Sequence, residues 1–192
     1  MGADKNTELN ISKLKVAENK IRTWIENNRR NVKLTLQLPI VIQDRIKTVL
    51  NRKTRRHFIS INGIFHAISN HGIKGKKLSK ESFPIRDEDF ALIPYILISP
   101  DYITKGSVLN GRESIRFYKM VSCGKIVVVE KECINSQEDF ETINVWGELS
   151  EGVNAPKDPN KNVRNVFLST SDVAKIKKDA ETAIFFNNNF KK

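Results

Sequence analysis

The stretch from Ser114 to Trp146 constrains the fold more than any other part of the chain. Ser114 to Met120 and Ile126 to Glu130 flank Ser122-Cys123-Gly124, a turn-like segment. Two strand-like runs around so short a connection predict a β-hairpin. Phe140 to Trp146 predicts a third strand, with Phe140, Thr142, Asn144 and Trp146 on one face and Glu141, Ile143 and Val145 on the other. Val163 to Leu168 reads as a fourth strand, reached through a long polar loop from Gly152 to Asn162.

Ahead of residue 113 the periodicity is mostly helical. Leu14, Ala17, Ile21, Trp24 and Ile25 fall on one face of a helix over residues 8–28. Val32 to Leu38 alternates strictly, as a half-buried strand does. Pro39 opens a second helix with Ile42, Ile46, Val49 and Leu50 inward. Ser60 caps a third, with Ile61, Ile64, Phe65 and Ile68 on its stripe; it ends at Asn70-His71-Gly72, where Gly72 suits a left-handed position. Asp87 caps Phe90 to Ile93, which Pro94 should end or kink, and Ser171 caps a last helix. Helices followed by strands predict an α+β protein: N-terminal helices, a mostly antiparallel sheet of about four strands, and a C-terminal helix. A soft boundary near residue 55 divides a basic helical N-terminal extension, 1–55, from an α+β domain, 56–192.

Charge is unevenly placed. The net +11 comes from residues 1–82, which hold 18 Lys and Arg against 6 Asp and Glu; residues 83–192 hold 15 against 16. Such a field attracts polyanions, nucleic acid first among them, although a solvated basic face carries the same composition. The candidate nucleic-acid contacts are Arg52, Lys53, Arg55 and Arg56 in one cluster, Lys74, Lys76 and Lys77 in a loop, and Arg116 on the hairpin. No run is long enough for a membrane span, and the start lacks the apolar core of a signal peptide. Asn6 stands where a myristoylation signal has Ser or Thr. Only Cys123 and Cys133 are present, without C-x-x-C spacing; they fit a reducing, cytoplasmic setting and leave one disulfide open. Neither zinc nor any other metal or cofactor is expected.

No local signature of a nucleotide or zinc site is present, so the chemistry must come from dispersed residues. His57, His66 and His71 are the histidines. His71 ends a helix, where the dipole favours the imidazolium and raises its pKa; such a residue donates a proton near neutrality, or simply caps the helix. His66 reads as a half-buried structural histidine. Glu130 is the acid closing an apolar strand. A two-residue hairpin loop at Cys123-Gly124 makes Lys119 its diagonal neighbour, roughly 7–8 Å away; a three-residue loop puts Arg116 directly opposite. Either register places a cation beside this carboxylate, as an ordinary cross-strand ion pair also would. Thr142 or Asn144 can hydrogen-bond a phosphate, and Phe117, Tyr118 and Trp146 can stack on bases, or all of them can serve packing.

The order of these pieces resembles the phage-associated nuclease domains of the barnase–EndoU–colicin–RelE superfamily. The likeness rests on His71-Gly72 closing a helix, Asp87-Glu88-Asp89-Phe90-Ala91-Leu92-Ile93-Pro94 running into Ser99-Pro100-Asp101, Arg116-Phe117-Tyr118-Lys119, and Val127-Val128-Val129-Glu130. It covers about residues 57–146, and residues 1–55 have no counterpart in it. It implies a small ribonuclease of a phage, mobile element or toxin system, acting on RNA without metal, with a cognate immunity or antitoxin protein as partner if the chain is a toxin. Such a protein is cytoplasmic, phage-borne or delivered to a target cell. Carried over by residue, the resemblance implies Glu130 as base, His71 as acid and Lys119, helped by Arg116, as stabiliser of the phosphate, with Thr142 beside them; the two proton roles can exchange. A non-catalytic nucleic-acid-binding protein, or a phage structural protein with this fold, is the alternative.

Overall fold

The computed structural model describes residues 5–29, 31–151 and 166–189. Helix α1 (Lys5–Glu26) leads to strand β1 (Lys33–Leu36), α2 (Ile40–Leu50), β2 (Arg56–Ser60) and α3 (Ile61–His71). A two-residue β3 (Ser82–Phe83), a 3-10 helix (Asp87–Leu92), α4 (Ile93–Ile98) and β4 (Tyr102–Lys105) follow. The long strands β5 (Ser114–Val121), β6 (Gly124–Cys133) and β7 (Ser136–Leu149) precede α5 (Thr170–Asn189).

The seven strands form one mixed sheet, ordered β1-β2-β7-β6-β5-β4, with β3 also pairing on β7. This corrects the expected sheet of about four mostly antiparallel strands, while the α+β character and both terminal helices stand. Strand β2 runs parallel to β7, Arg56 beside Asp139 through Ile59 beside Thr142, and β1 pairs antiparallel with β2. The basic run at 52–57 masked β2, because charges suggested a solvated linker. In fact the charged Arg56 faces solvent while His57 and Ile59 turn inward. For the expected strand at 163–168, residues 163–165 lie outside the described residues and 166–168 are in no strand.

The helical stripes pack on one face of the sheet. Leu14 and Ile21 of α1, Ile42 and Ile46 of α2, Ile64 of α3, Ile96 of α4 and Ile176 of α5 share a core with Phe117, Val128 and Phe140. A second cluster, Tyr118, Val127 and Val129 with Ile143 and Trp146, draws on strand residues alone and lies on the other face. Helix α3 approaches β7 closely because residue 63 is Gly: a Cβ there would sit 2.2 Å from the Thr142 carbonyl oxygen. Gly72 is extended (φ −70°, ψ −177°) rather than left-handed. It is required for space, since a Cβ would meet the Ile68 carbonyl oxygen at 2.6 Å.

Three other terminus expectations change. Pro94 stands in the first turn of α4 and opens it, where its missing N–H needs no partner. The hydroxyl of Ser60 makes no capping hydrogen bond. Helix α5 is capped by Ser169, not Ser171: Ser169 Oγ accepts from the Asp172 N–H (3.0 Å) and Asp172 accepts from the Ser169 N–H (3.1 Å). That reciprocal pair is a capping box. Among the described residues no helix is long and apolar enough to cross a membrane.

Candidate active site

The hairpin turn is Ser122-Cys123, with Val121 paired to Gly124, so Ile115 lies opposite Glu130. Both registers expected from the sequence are thereby corrected. Lys119 pairs with Ile126, four residues along the strand from Glu130's partner, which is about 13 Å. No hairpin cation stands opposite Glu130.

A β-bulge shapes what the two faces carry. Val129 pairs with Asn144 but Glu130 pairs with Thr142, leaving Ile143 as the extra residue. A bulge of this kind shifts the alternation by one. Phe140 and Thr142 therefore turn to the core face, and Asn144 and Trp146 to the other; the expected single face of four residues is split. On the second face the registers set out two rows across the strands. One is Tyr102, Tyr118, Val127 and Trp146; the next is Thr104, Arg116, Val129 and Asn144.

His71 sits at the edge of these rows, where α3 ends against β7. Its Nε2 is 3.5 Å from Asn144 Nδ2, and its ring is tilted against Trp146 with 6.0 Å between centroids. The Asn144 amide is oriented by its Oδ1, which accepts from the Val145 N–H at 3.0 Å. Its NH2 group therefore faces the imidazole, making Nε2 the acceptor nitrogen. Nδ1 is buried without a partner among the described residues. Burial lowers the His71 pKa, and nearby Lys77 and His66 lower it further. The direction is opposite to the one expected from the helix dipole: desolvation and like charge outweigh the last-turn carbonyls. His66 is exposed, not half-buried, and its Nε2 is 3.0 Å from Asn70 Nδ2.

Glu130 and Thr142 come together on the core face, both fully buried. Glu130 Oε2 is 2.5 Å from His57 Nδ1, and His57 Nε2 is 3.0 Å from Thr54 Oγ1. Glu130 Oε1 and Thr142 Oγ1 have no hydrogen-bond partner among the described residues. Lys119 is equally enclosed, donating to the Ser99 carbonyl (3.0 Å), Asp101 (3.3 Å) and Asp179 of α5 (2.7 Å). Burial raises the Asp179 pKa, but Lys119 and Lys175 bring it net below the usual carboxylate value. The four residues singled out for catalysis thus fall in three places: His71 on the second face, Glu130 with Thr142 behind it, and Lys119 under α5.

The basic candidates also divide. Arg52 pairs with Glu113 and Glu132 and lies over the Phe140 ring. Arg55 and Arg56 both bind Asp139; the Arg56 guanidinium, with Arg55 adding, holds that carboxyl well below its usual range against the effect of burial. Lys53, Lys74, Lys76 and Lys77 are exposed, the last three in the loop just after His71. Arg116 is half-buried in the row of Asn144, with no ion pair among the described residues. Phe117 belongs to the core and is not available to bases. Tyr102, which sequence reasoning missed, stacks on Tyr118 at 4.2 Å. His57 was missed as well; its signal was the alternation of Arg56 to Ser60, obscured by the charges before it.

A mixed sheet backed by helices, with a histidine at a helix end beside a polar and aromatic sheet face, makes this an α+β domain with a candidate functional histidine. Comparison with protein families agrees: the model of phage-Barnase-EndoU-ColicinE5/D-RelE like nuclease3 matches residues 39–141, and the chain belongs to that family. The match starts at Pro39, taking in α2 and β2 that the resemblance had left outside or at its margin, and stops one residue before Thr142. No curated protein and no solved structure matches the chain.

Proposed function

We propose that the chain is a metal-independent endoribonuclease of a phage, mobile element or toxin system, working at the row that runs from His71 and Asn144 to Arg116. The observation that carries this reading is His71 itself, a histidine of lowered pKa whose Nε2 is an acceptor. A neutral imidazole is a base at neutral pH. Nε2 takes the proton of a ribose 2′-OH, the 2′-oxygen bonds to the adjacent phosphorus, and the bond to the 5′-oxygen breaks. The leaving oxygen takes a proton from solvent, His71 later returns its own to solvent, and the products are a 2′,3′-cyclic phosphate and a 5′-hydroxyl. Arg116 lies two strand spacings from Asn144, about 10 Å, within reach of a phosphate held between them. A guanidinium there stabilises the charge that develops on phosphorus oxygens.

Lys74, Lys76 and Lys77 supply the attraction for RNA beside His71. Glu130, Thr142 and Lys119 act in this reading as supports: the first two hold the bulge that turns Asn144 toward His71, and Lys119 ties α5 to the sheet. Helix α1 braces the nuclease-like part, its Glu18 accepting from Tyr95 (2.7 Å) in α4. A cognate immunity or antitoxin protein is the partner to expect if the activity is toxic. Total RNA incubated with the purified chain in EDTA should be cleaved, and His71→Ala should abolish cleavage while binding persists.

One observation favours a second reading. Lys119 and Glu130 are closed to solvent and already partnered, as fits a non-catalytic RNA-binding or phage structural protein that keeps the fold. Salt-sensitive RNA binding with no cleavage by the wild type would select it.

A further inference from the structure

A cavity of about 480 Å³ opens on the same sheet face, lined among others by Lys33, Arg112, Lys131 and Glu141. Lys131 lies opposite Ser114 on β5 and Glu141 on β7, one row beyond Arg116 and Asn144. Successive residues on one face of a strand are about 7 Å apart, so this cavity is one short step from the row of His71.

The charges around it are unequally matched. Glu132 is engaged by Arg52 and by the Glu113 N–H (2.6 Å), and Glu141 is paired with Lys33. Arg112 spends one N–H on the Glu132 carbonyl oxygen (3.0 Å) and has no carboxylate partner among the described residues. The Lys131 side chain has neither hydrogen bond nor ion pair among them, though only 8% of the residue is exposed. Burial and then Arg112 lower its pKa, as expected of two cations crowded without a counterion. The ammonium itself is not enclosed, so two cations facing one open cavity without a carboxylate of their own make it attractive to an anion.

We infer that this cavity is a phosphate subsite, taking the phosphodiester next to the one held in the row of His71 and Arg116. The inference rests on the endoribonuclease reading for the identity of its neighbour. Lys131 and Arg112 grip the backbone, not a base, so the subsite adds affinity and register without sequence preference. Because Lys131 is one strand position from Glu130 but points to the opposite face, the bulge that positions Asn144 also fixes the spacing between the two phosphate positions.

Binding to a labelled single-stranded RNA octamer, measured by fluorescence anisotropy with the His71→Ala chain, tests this without any cleavage. Adding Lys131→Gln should weaken binding about tenfold near 0.1 M salt and reduce the slope of log K against log salt by about 0.7. Lys131→Arg should restore most of the affinity, which a merely unfolded variant would not allow. Replacing single phosphates by neutral methylphosphonates should cost the parent affinity most at one position, and cost the Lys131→Gln chain, which keeps only Arg112 there, clearly less. Unchanged affinity and slope for Lys131→Gln, or equal sensitivity at every phosphate in both chains, would overturn the subsite. Failure of the wild type to cleave RNA would instead count against the endoribonuclease reading, leaving the binding result intact.

Discussion

Replacing His57 by Ala isolates the buried half of the site. The change strands the Glu130 carboxylate, which is fully enclosed and whose only side-chain hydrogen-bond partner among the described residues is His57 at 2.5 Å. Breaking a buried pair by removing one member costs about 3–5 kcal/mol. For a chain of this size each kcal/mol moves the melting temperature by roughly 2–4 °C, so the expected loss is about 6–20 °C. Glu130→Gln should cost far less, about 1 kcal/mol. Its amide oxygen still accepts from His57, and no charge is left enclosed without a partner. His57→Ala made in the Glu130→Gln background should likewise be milder than alone, because no charge is left behind. Thermal melts followed by circular dichroism at neutral pH read all four proteins. A His57→Ala melt within about 2 °C of wild type would refute this reasoning. So would a Glu130→Gln chain that melts normally but has lost cleavage, since that places Glu130 in the chemistry.

The pH profile of cleavage follows from the direction of the His71 shift. A base acts when deprotonated, and the pKa lies below the ordinary value of about 6.5; the rate should rise with pH, reach half its plateau below about pH 6.5, and stay flat through neutrality. Arg116→Gln should lower kcat about 100-fold with a small change in KM, as loss of one charge-stabilising donor does, and steady-state kinetics on a short RNA would check it. Ser169→Ala removes one side of the α5 capping box and should cost about 1 kcal/mol, or roughly 2–4 °C in a melt, without affecting cleavage.

How much of this was legible in the sequence depended on which signal each element carried. The hairpin, the helix ending at His71 and the stripe of α1 announce themselves by periodicity, and all three are present. Strand β2 hides because its five residues follow a run of arginines, and a charged run reads as solvent-facing although His57 and Ile59 are buried. The bulge at Ile143 is silent in the sequence: alternation assigns Thr142 and Asn144 to one face, and one extra residue puts them on two. The hairpin turn shows the same sensitivity. Moving it by one residue replaces Arg116 by Ile115 opposite Glu130, turning an expected ion pair into packing. The pairing of Glu130 with His57 spans 73 residues, and no local pattern joins positions so distant. The direction of the His71 shift also needed the fold, since Lys77 reaches it only through the loop geometry after α3.

The most direct test of the proposed activity is analysis of the ends left when purified protein meets total RNA in EDTA. Wild type should release fragments ending in 2′,3′-cyclic phosphate and beginning in 5′-hydroxyl, and His71→Ala should release none. Fragments bearing 5′-phosphates, or equal cleavage by the His71→Ala protein, would contradict the proposed chemistry at His71.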